Sequence, residues 1–221
     1  MRAALAIFRK DLRIEWRTRE SLSTLVVLSV LLVVSLAMAH DPTPTEAARL
    51  APGILWATVI FTGVLVVQRS FLVEREHDCL ATLLGAPIDP AAIYVGKALG
   101  MLVLLVAMQV VVVPLVSIML RVPVWGVLPE LAVVLGLGDL GFAGLATLFA
   151  AMTARLRVRE MLLPILLLPL LTPVLIAGVK ATEAVLEGGL PAAGEALGVL
   201  VAFDVIFVVA GGLLFPFVVR D

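Results

Sequence analysis

The sequence predicts an all-α membrane protein with six transmembrane helices, on three observations. Of its 221 residues, 62% are hydrophobic and 15% charged, against about 45–50% apolar and about 25% charged in a soluble domain. The mean hydropathy is +1.16. Apolar runs recur at about 22–39, 50–67, 98–120, 127–152, 161–179 and 198–219, each near the roughly 20 residues that cross a bilayer as a helix. These runs take up most of the chain, so residues 1–221 read as one transmembrane domain with no room for a soluble catalytic one. With 16 Lys and Arg against 17 Asp and Glu, bulk charge does not point to nucleic acid.

Orientation follows from where the cations sit, because Lys and Arg in short loops collect on the cytoplasmic side. An inside N-terminus places thirteen of them on inner segments and three, Arg49, Arg121 and Lys180, on outer ones. Both termini are therefore expected in the cytoplasm. Ala37-Met38-Ala39 has the form of a signal-peptidase site. The long preceding region with Asp11, Glu15 and Glu20, and the length of the apolar run, favour a retained first helix.

Residues 1–20 are charged but carry Leu5, Phe8, Leu12 and Trp16 at helical spacing, with Ile7 and Ile14 near the opposite side. This predicts an amphipathic interfacial helix with two apolar edges, able to lie between headgroups and another protein surface. Where the first span meets the outer face stands His40, a candidate ligand for a metal or haem iron. A lone interfacial histidine is more often a solvated polar residue.

Between the second and third spans, residues 69–87 read as a short cytoplasmic helix. Glu74, Arg75, Glu76 and Asp78 are its charged part; Leu80, Leu83 and Leu84 follow at i, i+3 and i+4, and Gly85 and Pro87 supply a stop. A charge run is usually a solvated loop, but three leucines beside a membrane need lipid or a partner protein to cover them. The fourth span carries Gly136, Gly138, Gly141 and Gly144, small residues that let helices approach closely in lipid. In the fifth, Pro164, Pro169 and Pro173 each remove an amide donor. A bent or broken helix is expected there, with Thr172 placed to take up a freed carbonyl, and the prolines are hinge candidates.

The chemistry that is absent narrows the field. There is no Walker A pattern, so ATP-driven work needs a partner chain. HExxH and GxSxG are missing, and the only histidines are His40 and His77. The lone Cys79 makes no internal disulfide and belongs to no zinc or haem-attachment motif. Gly136-Leu137-Gly138-Asp139 has the GxGD form of intramembrane aspartyl proteases. Those enzymes carry their other Asp in an earlier helix after a Tyr, whereas Asp204 comes later and follows Phe203. Two acids within spans remain candidates for a proton pathway, and a proton-coupled carrier using Asp139 and Asp204 is the alternative reading.

Several tracts together resemble the haem exporter B family (CcmB). They are Leu50-Ala51-Pro52-Gly53-Ile54-Leu55-Trp56, Gln68-Arg69-Ser70-Phe71, residues 80–97, Leu140-Gly141-Phe142-Ala143-Gly144 and the fifth span from Leu162 to Gly178. Ala51, Pro52, Gly53 and Trp56 form the best single signature. The resemblance implies the non-catalytic permease subunit of the cytochrome c maturation ABC transporter, with an ABC-2 exporter-like layout in the bacterial inner membrane. It also implies a homodimer of permeases, a separate ABC ATPase subunit, a haem-handling membrane subunit and a small single-span subunit. Haem would be cargo, with no covalently bound cofactor and ATP acting only through the partner. On this reading the helix around Glu74–Leu84 docks in the ATPase as a coupling helix, braced by the amphipathic helix at residues 1–20. A similar ABC-2 permease could carry another amphipathic substrate. Asp139 and Met38-Ala39-His40 depart from the family's usual residues.

Overall fold

The computed structural model describes residues 2–18, 20–40, 43–76, 89–153 and 159–220, and among these every long element is an α-helix. The first, α1 (Arg2–Thr18), contains neither Gly nor Pro and is built of good helix formers. The second, α2 (Glu20–His40), is apolar all round. Its Ser29 hydroxyl is buried and donates back to the Leu25 carbonyl at 2.5 Å.

α3 (Pro44–Glu76) begins at a capping arrangement written in Thr43-Pro44-Thr45-Glu46. The Glu46 carboxylate accepts from the Thr43 backbone N–H at 2.9 Å and from its hydroxyl at 2.6 Å, and Pro44 occupies a position where no amide is needed. α4 (Pro90–Leu120) starts the same way: the Asp89 side chain accepts from the Ala91 N–H at 3.0 Å, with Pro90 at the first position. It stops where Arg121 turns left-handed (φ 56) and the Ser117 hydroxyl donates to the Val122 carbonyl at 2.8 Å. A 3-10 turn, Val124–Val127, leads into α5 (Leu128–Thr153). α6 (Arg159–Gly188) ends at Gly189, whose φ of 75 lies where a side chain is disfavoured. A second 3-10 turn, Leu190–Ala193, then leads into α7 (Gly194–Arg220).

Among the described residues, five stretches are long and apolar enough to cross a membrane: Thr45–Gln68, Pro90–Leu120, Val124–Thr153, Leu162–Gly188 and Leu190–Val218. The expected first span, 22–39, falls in α2, whose apolar part Ser23–Ala39 is shorter than these. The chain is thus an all-α, multi-pass integral membrane protein with five long spanning helices rather than six of equal standing. Two further expectations change. Arg69–Glu76 does not start a separate helix but continues α3, and Lys97 lies within α4 instead of in the loop before it.

The most extensive helix pairings are α5 with α7 and α1 with α4. α3 and α5 are the inner helices: 72% of the spanning window of each is buried, against 22% for α7. The exposed apolar face of α7, including Val205, Ile206, Val209, Leu213 and Phe217, is suited to lipid or to another helix. Side-chain contacts assign the two ends of the bundle. One gathers α1, the start of α4, and the ends of α5 and α7; the other gathers the start of α3, the end of α6 and the start of α5.

Candidate coupling elements and intramembrane polar sites

At the second of these ends, Trp56 is wholly buried and joins three helices. Its indole N–H donates to the Thr182 hydroxyl of α6 at 2.9 Å. Its ring fills space left by Gly138 of α5 and Gly178 of α6, where an added Cβ would overlap the ring. Ala51 and Pro52 are buried beside it on α3. Gly53 is different, because a Cβ there would meet nothing within 4 Å. Of the four signature residues, three therefore have a packing reason and Gly53 has none.

At the opposite end, the interfacial helix docks by its minor edge. Ala4 and Ile7 are buried, whereas Leu5 is exposed and Phe8 and Leu12 are half-buried; the side chain of Trp16 lies outside the described residues. The edge meets α4 at Gly96, where a Cβ would come within 2.8 Å of the Ala4 carbonyl. An ion pair completes the contact. Lys97 Nζ lies 3.5 Å from the Asp11 carboxylate, which also pairs with Lys10 at 3.0 Å. The Leu5–Phe8–Leu12 stripe predicted to do the anchoring is left facing partly outward.

One turn earlier on α4 stands Tyr94. Its hydroxyl lies 3.2 Å from the Gly144 carbonyl of α5 and 3.2 Å from the Phe207 carbonyl of α7. Its ring packs on Phe215 at 5.6 Å between centroids and closes against Gly211. Sequence reasoning missed Tyr94, although it is the only tyrosine in the chain and lies within the 80–97 tract. A single aromatic with a polar tip at a helix start was the available signal.

Between the two ends lie the intramembrane acids. Asp139 is wholly buried and accepts from the Gln109 side-chain amide of α4 at 2.8 Å, leaving Oδ2 without a hydrogen bond. Asp204 of α7 is also buried; it rests against Gly141, and neither carboxylate oxygen has a hydrogen-bond partner among the described residues. Asp139 and Gly141 are two residues apart, about 200° around α5. Asp139 therefore projects from α5 on a different side from the one that Asp204 packs against, an arrangement unlike the shared-proton pair of an aspartyl dyad.

The three prolines sit inside an unbroken α6. Pro169 and Pro173 are on its exposed side and Pro164 is half-buried. Thr172 does not take up a freed carbonyl. Its hydroxyl donates to Leu168 at 3.2 Å, whereas the carbonyls four residues before the prolines belong to Glu160, Ile165 and Pro169. Pro169 and Pro173 line a groove of about 580 Å³ between α6 and α7, with Lys180 and Glu195 at its charged end. Of the expected coupling residues, Glu74, Arg75 and Glu76 form the last turn of α3, with side chains outside the described set. Asp78, Leu80, Leu83 and Leu84 lie outside the described residues altogether, as do His77 and Cys79. His40 ends α2, its side chain also undescribed, and no cluster of His, Cys, Asp or Glu fit for a metal occurs among the described residues.

By its helices the chain is a multi-pass α-helical membrane protein with polar side chains buried between them. The comparison with known proteins makes this particular: the CcmB protein family matches residues 2–220, and the chain belongs to that family. It is similar to "Heme exporter protein B" of Rhodobacter capsulatus, with 31% identity over 183 residues covering 83% of this chain and 84% of the relative. The protein of the same name from Bradyrhizobium diazoefficiens is 28% identical over 214 residues, covering 96% of this chain and 94% of the relative. That of Pseudomonas aeruginosa is 27% identical over 191 residues, or 86% and 85% of the two chains.

Proposed function

We propose that this chain is the membrane-spanning subunit of an ATP-driven haem exporter of c-type cytochrome biogenesis. The observation that carries the reading is a family match from residue 2 to residue 220, with relatives named for haem export that cover nearly the whole chain. The chain lacks a Walker A sequence of its own, so the energy comes from a separate ABC ATPase subunit. It sits in the bacterial inner membrane with both termini cytoplasmic and α2 as the sixth span. The bundle end that gathers α1 and the start of α4 then faces the ATPase. Two permeases pair, and the exposed face of α7 offers surface for such a pair. A haem-handling membrane subunit and a small single-span subunit complete the assembly.

Coupling runs through the segment between α3 and α4. Leu80, Leu83 and Leu84 seat in a groove of the ATPase as helix anchors, and Glu74, Arg75, Glu76 and Asp78 set the register. The prolines of α6 serve as the hinge where the outer groove opens and closes. Haem is cargo; the movement of haem itself or release of a haem-loaded chaperone follows ATP hydrolysis in the partner.

The test is a mild-detergent pull-down of the tagged full chain, with mass spectrometry of its partners and an absorption spectrum for haem, beside Leu83→Asp. Recovery of a P-loop ATPase and haem-handling subunits with the wild type, and loss of the ATPase alone in the variant, supports the reading. A chain that purifies intact and alone overturns it, and Asp139→Asn and Asp204→Asn then test the carrier alternative.

A further inference from the structure

The first turns of α4 carry an arrangement that the coupling segment alone does not explain. Ile93, Tyr94, Gly96 and Lys97 follow directly after the Asp89 cap, where the chain leaves the segment between α3 and α4. A helix rises about 1.5 Å per residue, so Tyr94 is within about 8 Å of that cap along the axis. Its side chain reaches two other helices, and neither contact has slack. A Cβ at Gly144 would stand 3.1 Å from the tyrosine hydroxyl, and one at Gly211 would overlap it.

The hydroxyl has one proton and two acceptors, the Gly144 and Phe207 carbonyls, both at 3.2 Å. A phenol donates once. The proton is therefore shared between a carbonyl of α5 and one of α7. Such a three-centre contact adds little stability, since both carbonyls sit within helices and long bonds are weak. What it fixes is the position of α4 relative to the α5–α7 pair, the most extensive pairing in the bundle. In the same turns, Lys97–Asp11 and the Gly96–Ala4 approach hold α1. α4 is thus held at its start by α1 as well as by α5 and α7.

We propose that Tyr94 is a positioning residue, the point at which displacement of the segment between α3 and α4 passes to α5 and α7. The inference rests on the permease reading and adds to it the route from the coupling segment into the bundle. It does not place Tyr94 against substrate.

The test uses the complete complex with its ATPase, comparing wild type, Tyr94→Phe and Leu83→Asp. Tyr94→Phe keeps the ring that fills the glycine cradle and packs on Phe215, so the fold is retained, and thermal stability of the purified complex verifies this. ATP hydrolysis, haem delivered per ATP, and the distance between spin labels at Val95 and Leu128 with and without ATP and vanadate are measured. Both label sites are exposed. The relay predicts that Tyr94→Phe keeps the ATPase bound and hydrolysing. Haem delivered per ATP falls about tenfold, within the usual range of coupling between sites, and the label distance, constant in the wild type, changes with nucleotide.

Wild-type delivery per ATP in Tyr94→Phe, or an unchanged label distance in it, overturns the relay while leaving the permease reading in place. A wild-type chain that holds no ATPase overturns the permease reading, and the relay falls with it. A marked loss of thermal stability in Tyr94→Phe, with delivery per ATP unchanged in the surviving complex, makes the tyrosine structural and overturns the proposal.

Discussion

Trp56 and Tyr94 stand at opposite ends of the bundle and solve the same packing problem differently. Each is a buried aromatic pressed between glycines of two neighbouring helices, Gly138 and Gly178 for the tryptophan and Gly144 and Gly211 for the tyrosine. Trp56 gives its proton to one side chain, Thr182, at 2.9 Å. Tyr94 divides its proton between two backbone carbonyls at 3.2 Å. The first is a lock, with one donor, one acceptor and a large ring that leaves no alternative. The second has two equivalent acceptors and so ties one helix to two others at once.

The largest effect should come from filling the tryptophan's space. Gly178→Ala places a Cβ inside the Trp56 ring, and overpacking of this kind costs about 3 kcal/mol. Size-exclusion chromatography after graded heating in detergent should show a clear fall in the temperature at which the monodisperse peak is lost. The equivalent change at the other end, Gly211→Ala, should cost less, because the tyrosine tip lies at the end of a side chain and has a second acceptor to turn toward. Equal losses at the two sites would remove the distinction between the single lock and the shared contact.

Next in size is Trp56→Phe, which leaves the Thr182 hydroxyl without its donor and a gap beside Gly138. About 2 kcal/mol is expected from the lost hydrogen bond and the unfilled space. The same heating assay on a Thr182→Val background should show a smaller cost, since the orphaned acceptor is then gone; a full additive loss would show that the hydrogen bond is unimportant. Gln109→Ala belongs at a similar level. It removes the one hydrogen bond that the buried Asp139 carboxylate has among the described residues, a loss of about 2 kcal/mol, and Asp139→Asn in the same protein should restore much of it.

The smallest effect is expected at Gly53. An alanine there meets nothing within 4 Å and gives up the entropy cost of a helical glycine, so Gly53→Ala should be neutral or stabilising by about 0.5–1 kcal/mol. Folding unchanged with haem output lost would assign Gly53 to a contact with another subunit.

These two ends also differ in how far they could be read from the chain. Trp56 was visible as part of Ala51-Pro52-Gly53-x-x-Trp56, and the glycines of α5 were visible as a packing stripe. Which large residue each glycine accommodates was not. Gly138 and Gly141 are three apart in sequence, yet one receives Trp56 from α3 and the other receives Phe203 and Asp204 from α7. The sequence of α1 offers two apolar edges, and the one that docks on the bundle is that of Ala4 and Ile7. Periodicity identifies two apolar edges without saying which meets protein, because lipid and protein interior are almost equally apolar to a side chain. Thr172 shows a further limit: a hydroxyl among prolines bonded its own preceding turn at Leu168 and left the freed carbonyls alone.

What the sequence determined by itself is the class of the protein and the order of its parts. Long apolar runs must be helices in a bilayer, since no water there can satisfy an open backbone, and the charged and capped positions between them mark where each helix starts or ends. Tertiary structure decided which residues meet. The two intramembrane acids are placed on different sides of α5, the sole tyrosine is joined to two helices at once, and a lysine next to a loop becomes buried against Asp11. Those outcomes depend on the rotation of each helix about its axis. Rotation is set by close packing among several helices together, and no run of residues read singly contains it.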